Sequence, residues 1–295
     1  MSTFVISKDK LQKMENNKVW FITGANRGIG AEIARTVLNA GHKVVATARK
    51  PETIAALLGH SDRLLAVPLD VTKPEQAEAA VAAAKQKFGR IDILVNNAGY
   101  GQLGWFENTS DKQVRDQFET NVFGTMQVTR AVLPIMRAQR SGHVLTISSI
   151  AGFIAFPGSS VYSASKFAVE GWMEGLAQEL KPLGIAATII EPGFFKTDFL
   201  DNTSVNYGEY NIADYKEQST QFKDWHDNMN HNQVGDPAKL GAVLIRLSEM
   251  EVPPLNFPAG SDAVDMAFQT AERFRLEVEQ NKELSASTDA QSRNQ

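Results

Sequence analysis

From Lys18 to Glu191 short apolar runs alternate with longer stretches of helical character. The runs are Val19–Thr23, Lys43–Ala48, Leu64–Leu69, Ile91–Val95, His143–Ile147 and Ile185–Ile190. Most are continuously apolar rather than alternating, which is how a strand reads when both its faces are buried in a parallel sheet. Strand–helix repetition with no dividing linker predicts right-handed crossovers and one α/β domain, a single doubly wound parallel sheet with helices on both faces.

The rhythm breaks at about 194–234, a polar, Asn-rich stretch dense in aromatics, among them Phe194, Phe195, Phe199, Phe222 and Trp225. A loop this long in a compact domain is usually functional or carries short helices of its own. A lid over an apolar substrate and local packing of short helices fit equally well. Asp236 and Pro237 then predict a helix start, as cap and first helical residue. Pro254–Pro258 reads as a last strand, placed at an edge by its prolines. The domain is expected to span 18–284, ending in a helix over 261–284, with 1–17 an N-terminal extension and 285–295 a disordered tail.

Composition narrows the classes. The 295 residues include no cysteine, which excludes disulfide scaffolds, thiol catalysis and thiolate metal sites. The formal charge of −4 argues against a nucleic-acid partner. No apolar run reaches the roughly eighteen residues of a membrane span, and the N-terminus lacks the apolar core of a secretory signal, so the expected compartment is the cytoplasm. The five histidines show no metal-site spacing and read as surface or packing residues, so no metal is expected.

The candidate chemistry lies at the ends of the strand-like runs. Thr23–Gly30 (TGANRGIG) joins the first run to a helix. Gly24, Gly28 and Gly30, with Asn26 and Ile29 between them, suit a tight turn, close backbone approach to a pyrophosphate at a helix N-terminus, and close helix–strand packing. After the second run, Ala48 stands where an NAD site normally carries an acid for the ribose, and Arg49 and Lys50 follow. With Arg27 in the glycine loop, Arg49 suits the 2′-phosphate of NADP. Asp70-Val71 ends the third run, where a carboxylate can meet the adenine amino group or simply cap a turn. Asn97-Ala98-Gly99 closes the fourth. Tyr162 and Lys166 share a helical face, where an ammonium would lower a phenol's pKa toward acid–base use. Ser149 and its neighbour Ser148 both stand ready to hydrogen-bond a substrate carbonyl.

Taken together, Thr23–Gly30, Asp70-Val71, Asn96–Gly99, Asn121, Ser149, Tyr162, Lys166 and Pro192-Gly193 resemble the short-chain dehydrogenase/reductase family over about residues 18–260. The resemblance implies a Rossmann-like fold and selects Ser149 over Ser148 by its spacing from Tyr162. It implies that Asn121 holds a water in a proton relay, and that Pro192, Gly193, Phe195 and Thr197 contact the nicotinamide end. Arg49 and the C-terminal region resemble the NADP-preferring, hydroxysteroid- and retinol-dehydrogenase-like relatives. The expected activity is NADP(H)-dependent reduction of a ketone or aldehyde, or oxidation of the corresponding alcohol. Tyr162 would move the proton, Ser149 polarise the oxygen, and Lys166 tune Tyr162 and bind the ribose. Tyr100, Phe156 and Phe194 would contact an apolar substrate, with Trp105 and Phe153 beside them. A non-redox relative such as an epimerase or dehydratase, or a non-catalytic NADP-binding sensor, is the alternative. The expected assembly is a homodimer through helices over 110–138 and 161–181, packed on Ser163, Ala164, Ala168, Gly171 and Gly175, with a tetramer as the other option.

Overall fold

The structure is a computed structural model that describes residues 17–197, 199, 204–229 and 233–290. Apart from Asn17, the expected N-terminal extension lies outside those residues, as does His231.

The central sheet takes its strands from the runs named above. They are β1 (Val19–Ile22), β2 (Lys43–Ala48), β3 (Leu64–Pro68), β4 (Ile93–Asn96), β6 (Gly142–Ile147), β7 (Ile185–Pro192) and β9 (Asn256–Ala259). They pair in parallel in the order β3-β2-β1-β4-β6-β7-β9. The continuous apolar runs are explained by β1. Val19 and Phe21 face one layer, with α3 (Pro74–Phe88), α5 (Thr125–Gln139) and α6 (Ser160–Leu180). Trp20 and Ile22 face the other, with α1 (Gly28–Asn39) and α8 (Pro237–Glu249). Both sets are fully buried, so no position on the strand is left to be polar.

Helix ends follow local chemistry. The Asp236 side chain accepts from Ala238 N (2.9 Å) and Lys239 N (3.4 Å), and Pro237 opens α8. Strand β9 lies at the sheet edge with Pro258 opposite Glu191, as its prolines require. Helix α9 (Ser261–Gln280) is followed by a short helix, α10 (Lys282–Ala286). Helical structure therefore runs past Leu284 into the expected tail, because Ser285 and Ala286 still permit a turn.

Two further strands had no readable pattern. Strand β5 (Gly101–Leu103) pairs in parallel with β8 (Val205–Tyr207). This pair anchors the aromatic segment beside the main sheet. The segment then forms a single 3₁₀ turn at Ala213–Tyr215 and helix α7 (Lys216–Met229). Between α4 (Asp111–Phe118) and α5, residues Glu119–Gly124 form a π-helical turn.

The sheet order reverses direction between β1 and β4. In open α/β sheets the crevice beyond the carboxyl ends of such strands is where ligands bind.

Candidate active site

A cleft of about 1050 Å³ opens at that point. One end is built by the loop between β1 and α1. Gly24 and Gly28 adopt φ of +65° and +52°, conformations that disfavour any other residue. Helix α1 has no side-chain cap at Arg27 and no acid in its first turn. Its first N–H groups and the positive end of its dipole are thus left for an anion. Gly24, Asn26, Arg27, Gly28, Ile29, Arg49, Asp70, Val71, Asn97, Ala98 and Gly99 all line this end. A nicotinamide dinucleotide fits these residues: a bare helix N-terminus for its pyrophosphate, and a floor of small residues against which backbone can close.

Some of the residues expected here also do structural work. Gly30 does not line the cleft. A Cβ there would stand 2.3 Å from Asn97 Nδ2 and 2.4 Å from Gly24 O. Asn97 Nδ2 donates to Thr23 O (2.8 Å) and Gly24 O (3.1 Å). Thr23 Oγ1 in turn accepts from Asn97 N and Ala98 N, both at 2.9 Å. The end of β4 is thereby tied to the glycine loop. Asp70 lines the cleft while also forming a turn, its Oδ1 accepting from Thr72 N (3.0 Å) and Thr72 Oγ1 (2.8 Å).

Ser149, Tyr162 and Lys166 meet at the inner part of the cleft. Ser149 follows β6 and caps the single 3₁₀ turn Ile150–Gly152, its Oγ accepting from Ala151 N at 3.1 Å. Tyr162 and Lys166 come from the first turns of α6, with Lys166 Nζ 5.8 Å from the Tyr162 ring centre. Lys166 Nζ donates to Ile147 O at 2.9 Å. Burial dominates the electrostatics of the pair. Burial pushes the Tyr162 phenol up to about 12, against the opposing pull of a hydrogen bond with Ser149. Burial also pushes the Lys166 ammonium down to about 8. Burial disfavours the charged form of each group, so it acts in opposite directions on the phenol and the ammonium.

Asn121 stands behind the same cleft. It lies in the π-helical turn, buried, and does not border the cleft. Its Oδ1 accepts from Tyr100 N (3.1 Å) and its Nδ2 donates to Tyr100 O (2.9 Å). Both ends of the amide are committed to the backbone behind Gly99-Tyr100. The extra residue of a π-turn is what turns this side chain inward from a helix that otherwise packs on the sheet.

The outer wall is aromatic. Tyr100, Phe156, Phe194, Trp105, Phe199, Phe222 and Trp225 line it, and Phe153 does not. Phe199 lies 5.8 Å from the Tyr162 ring, Trp105 lies 5.9 Å from Phe222, and Phe194 meets Trp225 edge-on at 5.8 Å. His226, buried, packs on Phe222 at 4.1 Å. The aromatic segment thus both covers the cleft and packs as helix.

Pro192, Gly193, Phe195 and Thr197 border the cleft where β7 ends. One residue that holds this border was not foreseen. Asp262, in the first turn of α9, accepts from Phe194 N at 2.7 Å. A Cβ at Gly193 would stand 2.3 Å from its carboxylate. Nothing in the sequence distinguishes it from an ordinary acid in a helix first turn.

Among the described residues no group of histidines and acids could hold a metal, and no helix is long and apolar enough to cross a membrane. On the α6 face expected to meet a partner, Ser163 is buried and bonds Ser159 at 3.1 Å, so it is not available there. Gly171 and Gly175 are exposed with open space around them.

A sequence model of short chain dehydrogenases matches residues 18–208. A solved short-chain dehydrogenase from Streptomyces avermitilis is 40% identical, with a TM-score of 0.85 over 93% of this chain and 100% of that one. The 3-ketodihydrosphingosine reductase of Bacteroides thetaiotaomicron is 36% identical over 82% of this chain and 88% of its own length. A short chain dehydrogenase/reductase from Burkholderia phymatum, solved in complex with NAD, is 25% identical, with a TM-score of 0.75 over 94% of this chain and 98% of its own.

Proposed function

We propose that this chain, which belongs to the short-chain dehydrogenase family and is an oxidoreductase using a nicotinamide cofactor, reduces an apolar ketone or aldehyde with NADPH. The observation that carries this reading is the meeting of Ser149, Tyr162 and Lys166 at the inner part of an aromatic-walled cleft. When bound, the cofactor supplies the hydride. Ser149 Oγ orients the carbonyl oxygen of the substrate. The Tyr162 hydroxyl, neutral at physiological pH, gives that oxygen its proton. Lys166 contributes positive charge beside the phenol, which eases its passage through the phenolate. Asn121 fixes the backbone at Gly99-Tyr100 and so the floor on which substrate and cofactor meet.

The choice of NADPH over NADH rests on Arg27 and Arg49 and on Ala48 in place of a ribose-binding acid. The Burkholderia relative's NAD makes this the first point to test. An apolar ketone is supported by the seven aromatic side chains of the wall and by the ketone substrate in the name of the Bacteroides relative. A homodimer is part of the same reading, supported by the exposed Phe123 and Phe167 beside Gly171 and Gly175.

The test is a panel of ketones and aldehydes of increasing apolar size, followed at the absorbance of reduced nicotinamide with NADPH and NADH in parallel. Oxidation of NADPH with bulky apolar ketones is expected. Tyr162→Phe is expected to abolish it while NADPH still binds. Tight binding with no turnover of any substrate would favour a sensor instead, and a Tyr162→Phe rate near wild type would overturn the assignment.

A further inference from the structure

Behind the reacting groups lies a second set of polar atoms that the proposed reaction does not use. Tyr162, Lys166 and Glu170 follow one another at intervals of four along α6, so they share one face of the helix. Lys166 is buried on that face, and so is the Oε1 atom of Glu170. The single turn that carries Ser149 is pressed against it. A Cβ at Gly152 would stand 2.5 Å from Glu170 Oε1 and 2.7 Å from Ser148 Oγ. From the sheet side comes Glu191 on β7, whose Oε1 accepts from Asn256 Nδ2 at 2.8 Å. Glu170 Oε1, Ser148 Oγ and Glu191 Oε2 have no protein partner in good hydrogen-bond geometry.

We propose that Glu170 is a positioning residue of this site: its carboxylate, one helical turn behind Lys166 and packed against Gly152 beside Ser148, acts on Lys166 through its charge and seats the turn that presents Ser149. The proposal rests on the reading of Tyr162 and Lys166 given above. The charged groups acting on Glu170 are Lys166 on its own helix and Glu191 from β7; the 3₁₀ turn brings only Ile150, Ala151 and Gly152, none of them ionisable. Burial and the like charge of Glu191 push its carboxyl up to about 7, while Ser148 and Lys166 pull it down. Its negative charge in turn raises Lys166, opposing the burial that lowers it. Above neutral pH, then, the carboxylate is formed while the lysine still holds its proton. Loss of that carboxylate exposes Lys166 to the full effect of desolvation.

The measurement is the titration of Lys166, followed by ¹³C NMR of lysine labelled at Cε in the free full-length protein, which needs no substrate. Glu170→Gln is expected to lower the Lys166 midpoint by about one pH unit, the scale set by a unit charge one helical turn away in a partly screened interior. Glu170→Asp is expected to restore part of it. Should Glu170→Gln not fold, Ser148→Ala tests the same link. Without the hydroxyl, Glu170 keeps its proton to higher pH and Lys166 loses its own at lower pH. In turnover assays the alkaline limb of the pH profile should move down with the same midpoint. An unmoved Lys166 midpoint in folded Glu170→Gln or Ser148→Ala overturns the proposal. A shifted midpoint in a protein that reduces no carbonyl leaves Glu170 in this role and overturns the reductase reading alone.

Discussion

Replacing Gly30 with alanine isolates the joint between the glycine loop and β4. The added methyl would fall 2.3 Å from Asn97 Nδ2 and 2.4 Å from Gly24 O, and neither is the free end of a flexible side chain. Asn97 must leave, and its bonds to Thr23 O and Gly24 O go with it. Two hydrogen bonds at about 1 kcal/mol each, plus about 1–3 kcal/mol for overpacking, give a loss of about 3–5 kcal/mol. In a domain this size that is about 10 °C in Tm. Gly28→Ala is the control. There the nearest atom is Thr197 Cβ at 3.8 Å, so only the left-handed backbone is strained, costing about 1–2 kcal/mol. Gly28, however, borders the cleft and Gly30 does not. Urea unfolding should therefore rank Gly30→Ala well below Gly28→Ala. Calorimetric titration with NADPH at a temperature where both are folded should show Gly28→Ala as the poorer binder per folded molecule. Equal stabilities, or a Gly30→Ala loss under about 1 kcal/mol, would refute the reasoning from contact distances.

Three further outcomes are expected. Arg49→Asp should move the ratio of kcat/KM for NADPH over NADH toward NADH by tenfold or more, as a repelled phosphate requires; an unchanged ratio means that Arg49 does not meet the 2′-phosphate. Gly171→Trp should leave the circular dichroism spectrum intact and halve the mass seen by light scattering, because the glycine has open space in one subunit; an unaltered mass removes this face as the dimer contact. His143, buried and bonded to Thr188 at 2.9 Å, is pushed down to about 4 by burial. The unfolded chain takes up that proton near pH 6.5, so the stability His143 contributes is whole above pH 6.5. It falls by up to about 3 kcal/mol as the pH drops toward 4. The urea midpoint of His143→Asn should decline less than wild type between pH 7 and 4.5, and parallel declines would refute this.

The parallel sheet was legible because a strand buried on both faces leaves an unmistakable apolar run, as at Trp20-Phe21-Ile22. Strands β5 and β8 were not, because Gly101-Gln102-Leu103 and Val205-Asn206-Tyr207 are too short to show a period and pair across a hundred residues. The residues of the cleft were legible wherever spacing alone places a group, as with Tyr162 and Lys166. What spacing could not give was the depth of burial around Tyr162 and Lys166, or the partner against which Gly30 packs, Asn97 at the end of another strand. Asn121 shows a third limit. Its inward direction depends on a π-turn, a departure from helical geometry that no residue in Glu119–Gly124 announces. Asp262 shows a fourth, since its partner lies 68 positions away.

That distance has a consequence in time. Ser149, Tyr162, Lys166 and the aromatic wall are all encoded before Gln233, yet the backbone at Gly193-Phe194 is held by Ala259 and Asp262, from β9 and the helix after it. A chain growing from the ribosome carries Ser149, Tyr162 and Lys166 long before the piece that fixes the border of their cleft exists. Assembly of the cleft therefore waits on the synthesis of β9 and α9. A chain clipped before β9 would keep all its chemistry and lose the wall against which that chemistry is aimed.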